Sequence, residues 1–153
     1  MSIYENKLNE IGLELPACPK PVAAYVPAVE VDGLVFISGQ TPIVDDRIIY
    51  KGKVGKDITI KEGYEAAKIC ALRLLSQLKF VIGDLDRVER IVKVNGYVNS
   101  SGNFGEQPFV INGASELFLE VFGEKGQHAR AALGVATLPG DAAVEVEMVV
   151  KVK

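Results

Sequence analysis

Two helical patterns, each followed by a run with β character, constrain this chain more than any other feature. Thr59 and Glu62 form a T-x-x-E capping box. The residues after it place Tyr64, Ala67, Ala71, Leu74, Leu75, Leu78 and Val81 on one face at helical spacing. This predicts a helix from about Ile60 to Val81 that stops near Gly83. A second helix is signalled by Pro108 near its first turn, by Val110, Ala114, Leu117, Phe118 and Val121 on one face, and by Gly123 at its C-terminal end. Between them, residues 89–99 alternate polar and apolar positions and read as a strand with a bulge at Gly96.

Further strands flank this middle. Asp32-Gly33 joins two β-rich runs between Val22 and Gly39, and this pair tolerates the positive φ angles of a type I′ hairpin turn. A short strand is expected over Arg47 to Tyr50, after turn material from Pro42 to Asp46. The chain ends in two strands around Leu138-Pro139-Gly140-Asp141, giving the order β-β-β-α-β-α-β-β. Crossovers in that order place both helices on one face of a mixed sheet, an α+β sandwich of two layers. The other face of the sheet is left to find a cover. At 153 residues the chain fits one domain, 22–153, preceded by an N-terminal leader over 1–21.

Composition narrows the function classes. Apolar residues at 48% and charged residues at 24% exclude a disordered chain. No apolar run approaches the roughly 20 residues of a membrane helix, and the N-terminus lacks a secretory pattern, so a cytoplasmic location is expected. Cys18 and Cys70 fit no zinc or redox spacing, Cys70 reads as a core residue, and His128, the sole histidine, reads as a solvated loop residue. A net charge of -3 without a Lys/Arg-rich run argues against nucleic acid as the main partner.

The last two strands carry the sharpest local inference. Val144, Val146, Met148, Val150 and Val152 share the side expected to face the helices, and Glu145, Glu147, Val149 and Lys151 share the other. Read as a hairpin, the preceding strand turns Ala129, Ala131, Leu133 and Val135 inward and Arg130, Ala132, Gly134 and Ala136 outward, with Arg130 opposite Glu147 and Ala132 opposite Glu145. Two readings stay open for Arg130. One is a solvated cross-strand ion pair. The other is a carboxylate-binding guanidinium, with the small neighbours leaving room for a ligand or a second subunit.

Ser38-Gly39-Gln40, Asn112 in the second helix, Ala129-Arg130, Leu138-Pro139 and Val144-Glu145-Val146-Glu147 together resemble the RidA/YjgF family of reactive intermediate deaminases, over roughly residues 22–153. The resemblance implies a chorismate-mutase-like fold and a homotrimer with clefts between subunits. It also implies hydrolysis of enamines and imines such as 2-aminoacrylate to 2-keto acids and ammonia, with neither metal nor organic cofactor. Carried over by position, Arg130 would hold the substrate carboxylate and Glu145 the attacking water, with Tyr25, Ser38 and Asn112 lining the cleft. Ala132 stands where the family often has a cysteine. Blander roles remain beside these: interface packing for Tyr25, a turn for Ser38, a satisfied buried amide for Asn112. Rival functions are a trimer that binds a small acid or a protein without turnover, and a ribonuclease or translation inhibitor.

Overall fold

The computed structural model describes residues 1–18, 20 and 23–153. Among the described residues three α-helices, α1 (Ile3–Glu10), α2 (Ile60–Ile82) and α3 (Gln107–Phe122), accompany seven strands: β1 (Ala28–Val31), β2 (Leu34–Gln40), β3 (Ile43–Val44), β4 (Arg47–Ile48), β5 (Val88–Asn99), β6 (Ala129–Val135) and β7 (Val144–Val152). Five strands form one sheet in the order β1-β2-β7-β5-β6. β5 and β6 run parallel and the other neighbours antiparallel, so the sheet is mixed as expected.

Local chemistry accounts for the best-read elements. Thr59 Oγ1 accepts from the backbone N–H of Glu62 while Glu62 Oε1 accepts from that of Thr59, both over 3.1 Å, satisfying two donors that a helix end leaves free. Gly83, at φ 84°, ends α2. At the β1–β2 turn Asp32 and Gly33 take φ of 50° and 76°, the left-handed pair of a type I′ turn. Leu74, Leu75 and Leu78 of α2 and Val110, Phe118 and Val121 of α3 are buried against Val35, Val94, Val146 and Val150 of the sheet. The two helices cross closely at Gly113, where an added Cβ would lie 2.0 Å from the carbonyl oxygen of Tyr64. Among the described residues no helix is long and apolar enough to cross a membrane.

Several expectations are corrected. The segment read as a leader, for which no element was expected, holds α1, capped by Ser2 and Glu5 in a capping box and anchored by buried Leu8 and by Tyr4, whose ring lies 4.4 Å from that of Phe122. Arg47–Ile48 forms a strand, but it pairs with β3 in a separate two-stranded ribbon, so part of the expected turn material is itself β. The β5–β7 register is continuous through Gly96, and its irregularities fall between Val88 and Arg90 and between Ile91 and Lys93. Gly96 instead makes room for α3, since a Cβ there would meet Ile111 Cδ1 at 2.4 Å.

The largest correction concerns the last two strands, which are not a hairpin. β6 pairs with β5 alone, and β7 enters between β5 and β2. The connection over 136–143 has room to pass across the end of β5, two strand spacings or roughly 10 Å. Asn99 N–H at that end donates to Ala143 O over 2.9 Å, tying the crossing down. The inward phase of β7 stands as expected. That of β6 is reversed: Arg130 pairs with core residue Val94, Ala132 with Gly96 and Gly134 with Val98. These three therefore face the helices, and Ala129, Ala131, Leu133 and Val135 face the open side.

Candidate functional site

Arg130 lies on edge strand β6 beneath α3, and α3 supplies its partners. Its Nη1 donates to Asn112 Oδ1 over 2.8 Å and to Ser115 Oγ over 3.2 Å. Asn112 and Ser115 are one helical turn apart and so share a face of α3. The cross-strand pair with Glu147 is absent because β5 intervenes; Glu147 Oε1 accepts from Tyr97 Oη over 2.6 Å and from Asn95 Nδ2 over 3.2 Å. Among the described residues the ion pairs are Lys79–Glu5 and Arg87–Glu30, so the Arg130 guanidinium faces no carboxylate. It borders a surface cavity of about 270 Å³ lined also by Leu119, Gln127 and His128.

His128 extends this network and is not the solvated loop histidine expected. Its Nδ1 lies 2.6 Å from Gly126 O and its Nε2 2.8 Å from Ser115 Oγ. A carbonyl can only accept, so Nδ1 carries the proton and Nε2 accepts from the Ser115 hydroxyl. Ser115 Oγ in turn accepts from Arg130. Burial chiefly, with the Arg130 charge adding to it, holds the imidazole below its ordinary pKa, against the opposing effect of the Gly126 bond. The result is a directed chain from a backbone carbonyl through neutral imidazole and hydroxyl to the guanidinium, which sets the side chain's orientation. His128, next to the Arg130 strand in sequence, carries the alternative of a place at the cleft mouth, and it lines this cavity; Ser115 is a residue the sequence reading misses, and the Asn112-x-x-Ser115 spacing on one helical face is its available signal.

The other expected residues lie before β1, on β2 and on the central strand β7. Ser38 Oγ donates to Val26 O over 2.7 Å, which ties the strand to the segment carrying Tyr25. Tyr25 is largely exposed and lines a cavity with Gly39. Glu145 extends over Gly39, where a Cβ would fall 2.6 Å from Glu145 Oε1 and so would displace the carboxylate. Burial first, then the negative field of Glu147, raise the Glu145 pKa. Tyr97, opposite Glu145 on β5, has its pKa pushed up to about 12, mainly by donating to Glu147. Ala132 faces α3 and packs against the core.

The chain thus brings Arg130 and Asn112 together, and separately sets Ser38 and Glu145 beside Gly39, which lines a cavity with Tyr25. It does not join the groups. β7 and β5 separate β2 from β6, three strand spacings or roughly 14 Å, and Glu145 projects from the opposite face of the sheet to Arg130. What one chain offers is a guanidinium able to bind an acid on edge strand β6, a hydroxyl on β2 and a partly buried carboxyl on the central strand β7.

Known proteins share this fold. A family model described as "YjgF/chorismate mutase-like, putative endoribonuclease" matches residues 5–151. Protein TCP17 of Trypanosoma cruzi is 48% identical over 145 residues, 94% of this chain and 91% of that protein. The crystal structure of protein Atu1372 from Agrobacterium tumefaciens superposes with a TM-score of 0.93 at 41% identity, covering 99% of this chain and 93% of that one. A 2-iminobutanoate/2-iminopropanoate deaminase of Dermatophagoides farinae is 27% identical over 143 residues, 92% of this chain and 95% of that protein. A family match over nearly the full length, on a mixed sheet carrying two helices on one face, makes the chain a member of the RidA/YjgF family.

Proposed function

We propose that the protein hydrolyses small enamine and imine acids of the 2-aminoacrylate type to 2-keto acids and ammonia. It would do so in a homotrimer, where Arg130 and Asn112 of one copy meet Tyr25, Ser38 and Glu145 of the next. The observation that carries this reading is Arg130: a guanidinium oriented by Asn112 and Ser115, bordering a cavity and paired with no carboxylate. Its planar fork suits a substrate carboxylate. The mite relative named as a 2-iminobutanoate/2-iminopropanoate deaminase supports the same chemistry.

Protonation of the enamine at carbon gives an iminium, whose carbon is electrophilic. Water then adds, and the resulting carbinolamine loses ammonia and leaves the ketone. Such a reaction needs orientation, one water and a proton relay more than it needs a strong catalyst. Arg130 would fix the acid end. Glu145, whose proton is held more tightly than an ordinary carboxyl's, suits a group that takes a proton from water and returns it to the departing nitrogen.

The test is capture of the imine as its semicarbazone. An amino-acid oxidase generates the imine in situ, and the protein diverts it to keto acid. The wild type should suppress semicarbazone formation, Arg130→Ala should not, and sedimentation should give three times the 16.5 kDa chain mass. No acceleration across a panel of imines would turn the reading to a trimer that binds a small acid without turnover. A nuclease role finds less support: both nitrogens of the only histidine are engaged, and the net charge is -3.

A further inference from the structure

We propose that the cavity between α2 and the end of β2 is a second binding site, for a small monoanionic carboxylate that also bears an amide or ureido N–H. Arg73 and Gln77, one turn apart on α2, are 7% and 4% exposed, and both line this cavity of about 350 Å³. Lys20, Tyr25, Gln40, Thr41 and Asp46 are the other polar side chains of its lining among the described residues. The volume falls in the range of small-ligand pockets.

Among the described residues, each of these buried side chains has a buried polar atom without a partner. Among the described residues, Arg73 makes one hydrogen bond, from Nη1 to Ile43 O over a long 3.4 Å, and its Nε finds no acceptor. Gln77 Oε1 finds no donor. Buried polar groups are nearly always hydrogen-bonded, and a buried charge is nearly always paired. Arg73 takes part in none of the ion pairs among the described residues, and Asp46 is the one carboxylate whose field supports its charge. A guanidinium stays protonated at any physiological pH, so it cannot escape by losing the proton.

The unmet demands define the ligand. Lys20 and Arg73 against Asp46 leave the lining one positive charge in excess, which suits one negative charge better than a dianion such as phosphate. The fork of Arg73 matches a carboxylate. Gln77 Oε1 accepts only, and needs an N–H or O–H. The Gln40 amide cannot meet that need, because its Nε2 already donates to Ser38 O and Gly39 O. A carboxylate with an N–H a few bonds away, as in an N-acyl or N-carbamoyl amino acid, satisfies both ends. The site stands apart from Arg130, which lies across three strand spacings, and shares with the proposed cleft only Tyr25 and the adjoining Gly39.

Calorimetric titration of the full chain with N-acetylglycine and N-carbamoylglycine, against acetate and inorganic phosphate, tests this. The N-acyl or N-carbamoyl acid should bind with Kd near or below about 1 mM, and the two control ions at least about tenfold more weakly. Arg73→Lys, which keeps the charge but loses the fork, should weaken binding by about tenfold. Gln77→Leu should erase the preference over acetate, and because it only removes an unpaired polar group it keeps the test alive if Arg73→Lys fails to fold. The proposal is overturned if neither acid binds, if binding survives both substitutions unchanged, or if Arg130→Ala abolishes it, which would assign the probe to the other cleft.

Discussion

The orientation of Arg130 by a neutral amide can be tested by giving that amide a charge. Asn112→Asp is nearly isosteric and sets a carboxylate oxygen where Asn112 Oδ1 now accepts from Arg130 Nη1 at 2.8 Å. The fold should tolerate it, because the new charge arrives beside an opposite one; the melting temperature should hold or rise. The substrate carboxylate would then meet a second anion on the same guanidinium. At a separation of roughly 6 Å and an effective dielectric of about 20, two negative charges repel by about 2.8 kcal/mol. Arg130 is only partly buried, so solvent screening brings this nearer 1.4 kcal/mol, about a tenfold rise in KM. Steady-state semicarbazone competition measures it, with kcat expected to change much less than KM. Asn112→Ala is the control: it removes a hydrogen bond to a charged group, worth about 1.5 to 3 kcal/mol, without adding charge. If Asn112→Asp folds and its KM stays within about twofold of the wild type, Arg130 does not bind the substrate's acid group.

Three further outcomes follow from single contacts. Gly113→Ala puts a methyl group 2.0 Å from Tyr64 O and must push α2 and α3 apart, so denaturant unfolding should show a loss of about 3 kcal/mol or more. His128 has a folded pKa below its ordinary 6.5, so the unfolded chain binds more protons as pH falls through and below that value. Stability should therefore drop on the acid side of about 6.5, and melts of His128→Gln should show a shallower drop. Glu145 shifts the other way: its folded pKa is raised, so stability falls as pH climbs from the ordinary carboxylate range through the raised value. Glu145→Gln should melt higher than the wild type at neutral pH, with the gain shrinking in acid.

The elements legible in the sequence are those whose signal is local. Thr59 and Glu62 announce α2 because both capping bonds close within four residues, and Asp32-Gly33 announces the hairpin because the turn itself needs positive φ. Ser2 and Glu5 carry the same capping signal for α1, yet that helix has eight residues and one buried position, too few for a periodic face to stand out. What stayed hidden depends on sheet order. Leu138-Pro139-Gly140-Asp141 has turn chemistry, but nothing in it says whether the chain returns beside β6 or skips past β5. That single choice decided the wrong partner for Arg130.

The face of Arg130 was misread for a deeper reason, and it bears on the proposed assembly. Assigning the apolar phase of a strand to the core assumes that one face of the sheet is dry and the other wet. In β6 the outward phase is Ala129, Ala131, Leu133 and Val135, more apolar than the inward Arg130, Ala132 and Gly134. Inward positions must be small where α3 comes close, while outward ones are free to be large, and Leu133 is 52% exposed. Val29 and Phe36, partners across β1 and β2, are exposed as well. Apolar side chains at both edges of one open face have no reason to be there in an isolated chain. They do have one if copies of the chain cover each other's sheets, and such a covering could bring the Arg130 edge of one copy toward Ser38 of β2 and Glu145 of the central strand of its neighbour. The feature that inverted the strand is thus the one that makes a shared cleft physically reasonable, and a chain that sediments as a monomer at micromolar concentration would remove the support for both.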